Sequence, residues 1–282
     1  MTNLKGKTIN LKGQLYNWDI PMVMGILNIT PDSFFDGGQY QHKVDILHRC
    51  EQILKEGAQI IDIGAYSTRP GAENISEAEE LKRLTTSLEW IRKEFPDIII
   101  SVDTFRSFVA EKVVCDFEVD IINDIAAGEL DQKMFKTIAR LGVSYIMMHM
   151  KGTPQNMQEN PQFTNLIQEV SSYFSRKVEE LTWLGANDII IDPGFGFGKT
   201  LDHNYQLLRE LKQFQLFELP VLVGVSRKSM IYKLLELDAA HALNGTSVIN
   251  TIALLNGANI LRVHDVKEAV ECVKLVQQLQ NA

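Results

Sequence analysis

Short runs of continuous apolar residues recur along the chain, separated by segments of helical length. They span 21–29, 60–64, 98–104, 121–125, 145–150, 188–194, 220–226 and 260–265. Their apolar residues are contiguous rather than alternating, which marks strands covered on both faces, as in a parallel sheet. The intervening segments include amphipathic stretches at 75–95 and 165–185, the first opening on Ser76 with Glu79 three residues on, a capping-box pattern. Residues 7–16, TINLKGQLYN, read as a short β-hairpin with Gly13 in the turn. Eight strand–helix units argue for an α/β fold, a single-domain (β/α)8 TIM barrel over 21–282 with an N-terminal hairpin over 1–20 capping its lower end. A doubly wound open sheet would need a GxGxxG turn after its first strand, and the sequence has none there.

Composition narrows the picture. With 282 residues, 45% of them hydrophobic, the chain can bury a substantial core. The net charge of −8 argues against nucleic-acid partners and anionic membranes. Three scattered cysteines without CxxC or Cys/His spacing give no support to a structural zinc site and fit a reducing compartment. No apolar run is long enough to span a membrane and the N-terminal stretch lacks a signal-like apolar core, so a cytoplasmic protein is expected.

In a barrel, chemistry belongs at the carboxyl ends of the strands. Those ends read Asn28, Asp62, Asp103, Asn123 with Asp124, His149, Asp192, Arg227 with Lys228, and Arg262 with His264. Turn and cap duties explain any one of these residues more simply than the whole ring. Acids gather on the second, third, fourth and sixth strands and bases on the last two, which predicts a ligand with two unlike ends. Asp103, Asn123 and Asp192 suit the edge of a nitrogen-rich ring, pterin or guanine-like. Lys228, Arg262, His264 and Asn28 come together because the eighth strand closes against the first, and they suit an anion such as phosphate.

Two connections are long for this fold. The loop after the first strand, NITPDSFFDGG, sets Phe34 and Phe35 among acids and before Gly37-Gly38, the composition of a flap whose rings need a ligand or partner. The loop after the second strand carries Thr68, Arg69, Pro70 and Gly71. DPGFGFGKT (192–200) has the look of a phosphate loop, but Gly194 and Lys199 stand too close for GxxxxGK[ST]. Its glycines are expected to let backbone approach a flat ligand, with Phe197 available to stack.

Taken together, NITPDSFFDGG, STRPGA, SVDTF, INDI, DPGFGFGK, GVSRKS and RVHDV, in this order over 21–282, resemble the dihydropteroate synthase family of folate biosynthesis. The resemblance implies a barrel, usually dimeric, that joins 4-aminobenzoate to (7,8-dihydropterin-6-yl)methyl diphosphate and is inhibited by sulfonamides, the aminobenzoate mimics. It implies Mg2+ with the diphosphate. By motif it assigns the pterin to Asp103, Asn123, Asp192 and Lys228, with Met148 and Phe197 lining the slot. The diphosphate falls to Arg262, His264 and Asn28, with Asn28 also the metal position. The aminobenzoate falls to Phe34, Thr68, Arg69, Pro70 and Ser229, and Asp36 approaches the reacting carbon when the first loop closes. One departure stands out: many members have GGESTRPG after the second strand, and this chain has GAYSTRPG, with Ala65-Tyr66. Two other readings share the pterin site, a methyltetrahydrofolate-dependent corrinoid methyltransferase and a non-catalytic pterin-binding paralogue. A diphosphate clamp is of no use to the first, and an intact set of Lys228, Arg262 and His264 counts against the second.

Overall fold

The computed structural model describes residue 4, residues 7–29, 43–66, 75–153, residue 157 and residues 161–282. Strands β1 (Thr8–Leu11) and β2 (Gln14–Asn17) pair antiparallel, with Ile9 opposite Tyr16 and Leu11 opposite Gln14. Lys12 and Gly13 between them both take positive φ, 55° and 74°, the pattern of a type I′ turn that matches the twist of paired strands.

Eight parallel strands follow: β3 (Met22–Asn28), β4 (Ile60–Gly64), β5 (Ile99–Asp103), β6 (Ile121–Asp124), β7 (Ser144–Met148), β8 (Ile189–Asp192), β9 (Leu222–Val223) and β10 (Ile260–Val263). They lie side by side in the order β8-β7-β6-β5-β4-β3-β10-β9. The ring closes between β8 and β9 through a parallel bridge from Ile191 to Val221, where the Ile191 N–H donates to the Pro220 carbonyl at 3.0 Å. Helices α1 (Lys43–Lys55), α2 (Glu77–Glu94), α3 (Ser107–Phe117), α4 (Met134–Leu141), α5 (Leu166–Trp183), α6 (Leu201–Arg209), α7 (Ser229–Tyr232), α8 (Leu243–Leu255) and α9 (Val266–Asn281) fill the crossovers.

The period of two along each strand divides the molecule. One set of side chains, including Ile61, Val102, Ile122, Met147, Ile191, Val223 and Val263, packs under the helices in the main core. The other set faces inward. At the lower end it is apolar on every strand: Met24, Ile60, Ile99, Ile121, Ile146, Ile190, Leu222 and Ile260 form one cluster with Ile9 and Leu11 of the hairpin and with Trp18. The hairpin is fastened there by the Asn10 N–H to Asp188 (2.9 Å) and by the Ser144 hydroxyl to the Asn10 carbonyl (2.8 Å).

Helix α2 starts as the sequence pattern expects, with the Glu79 N–H donating to Ser76 Oγ at 3.2 Å, but the Glu79 carboxylate pairs with Arg83 instead of completing the box. A reciprocal box forms at α6, between Thr200 and His203.

Candidate active site

Two residues above the apolar floor, the same inward face turns polar: Asp62 follows Ile60, Ser101 and Asp103 follow Ile99, Asn123 follows Ile121, Asp192 follows Ile190, and Arg262 and His264 follow Ile260. Asp62 is fully buried at the centre of this layer. Its carboxylate accepts from Ser101 Oγ (2.6 Å), Asn123 Nδ2 (3.2 Å) and Arg262 Nε (2.6 Å). Arg262 also donates to Asp103 at 3.0 Å. The guanidinium is thus held in a plane by two carboxylates, a geometry that a lysine point charge would not supply. Burial raises the Asp103 carboxyl to about 7, against the pull of Arg262. The two ends expected of the ligand site therefore meet at Arg262, which suits the anion yet rests on the acids.

The β8 end builds a wall. Asp192 accepts from the Gly194 N–H at 2.7 Å, and burial raises its carboxyl while Lys228 opposes the shift. The Lys228 ammonium donates to the Phe195 carbonyl at 2.5 Å and lies 4.6 Å from the centre of the Phe197 ring. Burial, reinforced by Arg262, lowers Lys228 to about 8. Met148 and Met150 pack with Ile125 and Ala126, and Phe105 and Phe197 lie against them, so a flat apolar surface adjoins Asn123 and Asp192. The glycines of this loop serve the protein itself. A Cβ at Gly194 would collide with the His149 carbonyl, and one at Gly198 with the Lys151 backbone, so these two glycines are needed for packing within the protein as well. Lys199 occupies no phosphate loop: it is buried, with Nζ bonded to the His149, Gly194 and Phe197 carbonyls (3.2, 2.9 and 3.1 Å) and 3.0 Å from His149 Nδ1. Burial lowers the Lys199 pKa, opposed by Asp192 and by the three carbonyls that accept from the protonated amine, and burial keeps His149 neutral.

On the β10 side, Ser226 Oγ lies 3.2 Å from both the backbone N and Nδ1 of His264. Asn28 ends β3 beside Gly64 of β4, partly exposed where the other residues of the strand are buried. Ser229 opens α7 directly after Lys228.

Several strand-end residues have other work. Asp124 has the opposite parity to Asn123 and faces the helices, accepting from Tyr145 Oη (2.6 Å) and from the Ala126 and Gly128 N–H groups (both 2.8 Å). Arg227 is paired bidentately with Asp265 and donates to the Ala239 and Ala240 carbonyls. Phe34, Asp36, Thr68, Arg69 and Pro70 lie outside the described residues. Asp62 is visible in the sequence as a strand-end acid, but sequence reasoning gives it no role; its parity with Ile60 is the available signal. Tyr66, the departure in the second loop, meets Phe105 edge-on at 5.2 Å and lies 5.4 Å from the Arg106 guanidinium, whose carboxylate partner is buried Glu80.

The site has close counterparts. A family model described as "Pterin binding enzyme" matches residues 24–264. The dihydropteroate synthase of Escherichia coli K12 is 42% identical over 264 residues, 93% of either chain. The structure of the Yersinia pestis dihydropteroate synthase in a sulfonamide drug complex superposes with a TM-score of 0.92 at 40% identity, covering 98% of this chain and all of that one. That of the Thermus thermophilus dihydropteroate synthase in complex with 4-aminobenzoate gives 0.86 at 33% identity, covering 97% of this chain and 100% of that one. With this barrel, this inward-facing ring and these relatives, the chain belongs to the pterin-binding enzyme family, among the dihydropteroate synthases.

Proposed function

We propose that this chain joins (7,8-dihydropterin-6-yl)methyl diphosphate to 4-aminobenzoate, releasing pyrophosphate and forming 7,8-dihydropteroate. One observation carries the reading: a single inward face offers a donor–acceptor edge (Asn123, Asp192, Asp103), a flat apolar wall (Met148, Phe197) and, beside them, Arg262 and His264. That combination suits a pterin bearing an anionic leaving group. In this reading Asp103, Asn123, Asp192 and Lys228 hold the ring, and Arg262, His264 and Asn28 receive the diphosphate. Helix α9 begins at Val266, so its N-terminal end lies at the same mouth and favours anionic charge.

The C–O bond breaks first, its electron pair leaving on pyrophosphate. The amine lone pair then forms the C–N bond, and one N–H proton passes from the resulting anilinium to water at the mouth of the site. This order suits a weak, neutral nucleophile and an electron-rich ring, whose cationic methylene is stabilised by Asp103 and Asp192 through the ring and by Asp36 from the first loop. Phe34, Thr68, Arg69, Pro70 and Ser229 border the aminobenzoate.

Among the described residues no cluster of three or more His, Cys, Asp or Glu side chains could hold a metal by itself. The amide oxygen of Asn28, partly exposed at the end of β3, fits an ion that takes most of its ligands from phosphate and water. Mg2+ held there would neutralise charge on the departing diphosphate.

We treat residues 21–282 as one catalytic unit and residues 1–20 as its cap. A homodimer is supported by the exposed stripe Val248, Ile252, Leu255 on α8 beside Leu275 and Leu279 on α9. Among the described residues no helix is long and apolar enough to cross a membrane, and a cytoplasmic location is supported by the unpaired thiols of Cys50, Cys115 and Cys272.

The test is pyrophosphate release that requires both substrates. Release without aminobenzoate dependence would make the chain a hydrolase, and no release would leave a pterin-binding barrel. Asp36→Ala should cripple turnover while pterin affinity stays near wild type; wild-type turnover would remove Asp36 from the mechanism.

A further inference from the structure

The reaction written above has no use for Lys199, yet the protein keeps an ammonium there at 4% exposure. Burying a cation is costly unless its donors are met and its charge is compensated. A methionine of similar length would fill the space without that cost. Among the described residues, its neighbours within bonding distance are three carbonyls and His149 Nδ1, which accepts in the Nε2–H tautomer, a set suited to a cation and not to an anion. Three N–H bonds face four acceptors from two different loops: the carbonyl and Nδ1 of His149 after β7, and the carbonyls of Gly194 and Phe197 after β8.

The β8 loop is wound around this charge. Gly194, Gly196 and Gly198 all take left-handed φ (73°, 80° and 61°), which lets carbonyls 194 and 197 turn inward within a few residues. The opposite side of the same winding presents the Phe195 carbonyl and the Phe197 ring to Lys228. Asn204 locks the outside, accepting from the Gly196 N–H (2.7 Å) and donating to the Thr200 carbonyl (2.7 Å). One ammonium therefore sits inside the loop and a second outside it, with the slot wall between them.

We propose that Lys199 is the positioning residue of the pterin slot, gathering the β7 and β8 loops around one buried charge so that Phe197 and the Phe195 carbonyl stand in register with Lys228. The inference rests on the reading above that these groups form the pterin site. Lys199 touches no substrate; it acts through the wall.

The experiment measures binding of (7,8-dihydropterin-6-yl)methyl diphosphate by calorimetry without aminobenzoate, together with both KM values and kcat, on folded Lys199→Met. The expected result is pterin affinity weakened by about tenfold or more, some 1.4 kcal/mol, with an unchanged KM for aminobenzoate. Lys199→Gln, which retains two N–H donors, should fall between the two proteins. A merely structural lysine would lower the melting temperature and leave the affinity of the folded protein alone, and that result overturns the inference. Should Lys199→Met not fold, Lys199→Gln decides: weakened pterin binding supports the proposal and wild-type affinity overturns it. Asn123→Ala and Lys228→Met on the same assay separate the two readings. If they bind pterin normally, the slot assignment itself fails; if they lose binding while Lys199→Met does not, only the role of Lys199 falls.

Discussion

The floor and the mouth of the barrel are built by the same strands, a few residues apart, and they solve opposite problems. At the floor each strand contributes an apolar side chain, and the hairpin with Trp18 closes it. At the mouth, two residues further on, the same inward positions hold Asp62, Asn123, Asp192 and Arg262. The floor gains stability from removing apolar surface from water. The mouth holds charges out of water and compensates them with one another, which leaves donors and acceptors fixed before any ligand arrives. Strand parity joins the two: a one-residue slip would swap the inward and outward sets at both ends.

The sharpest way to break this contrast is at Arg262. Arg262→Met leaves Asp62 buried beside Asp103 without its cation, and losing one partner of such a pair costs about 3–5 kcal/mol. Turnover should fall by about 100-fold or more under the proposal that Arg262 receives the leaving diphosphate. Adding Asp62→Asn should recover much of the stability, read by chemical denaturation, and none of the turnover. Recovery of both would deny the mouth its chemical role.

The reciprocal change is at the floor. Leu222→Ala should cost about 2–5 kcal/mol, because Leu222 is fully buried in the floor cluster and its loss leaves a cavity there. At a temperature where the variant is folded, kcat and both KM values should match the wild type. A selective rise in pterin KM would mean the two ends are not separable.

A finer test uses His149, which is at the mouth but of outward parity. Burial and the neighbouring Lys199 lower its pKa to about 2 in the folded state, against about 6.5 when unfolded. Between these values the unfolded chain binds the extra proton, so this contribution to stability is present above pH 6.5 and is lost as pH falls toward 2. The slope approaches about 1.4 kcal/mol per pH unit. His149→Asn, which keeps an acceptor for Lys199, should flatten the stability profile below pH 6; an unchanged profile would show that His149 is protonated in the native protein. The smallest effect belongs to the hairpin. Gly13→Ala meets no atoms but places a Cβ at φ +74°, costing about 1 kcal/mol with turnover untouched, checked by thermal melting.

Much of the architecture was legible because a parallel barrel strand is apolar on both faces, so each run in the sequence carries its own boundary. The run at 220–226 announced its strand, but only Leu222 and Val223 of it pair as β9. Asp124, grouped with Asn123 by adjacency, is separated from it by parity and belongs to the outer layer through Tyr145. Arg227, next to Lys228, is drawn away by Asp265, a partner 38 residues on that no local pattern announces. Lys199 was the hardest. A lysine after glycines suggests phosphate, and only the carbonyls folded onto it reveal a cation used internally. Charge pairing over long sequence distances is where reading from pattern stops.

The bridge between Ile191 and Val221 has a mechanical consequence. Among the described residues a single bridge joins the chain's sixth and seventh barrel strands, the thinnest fastening in the ring. Asp192 stands at one jaw of that clasp, and Lys228 follows the other. A molecule held by both would span that clasp, so whatever fills the slot would also tie the sixth strand to the seventh.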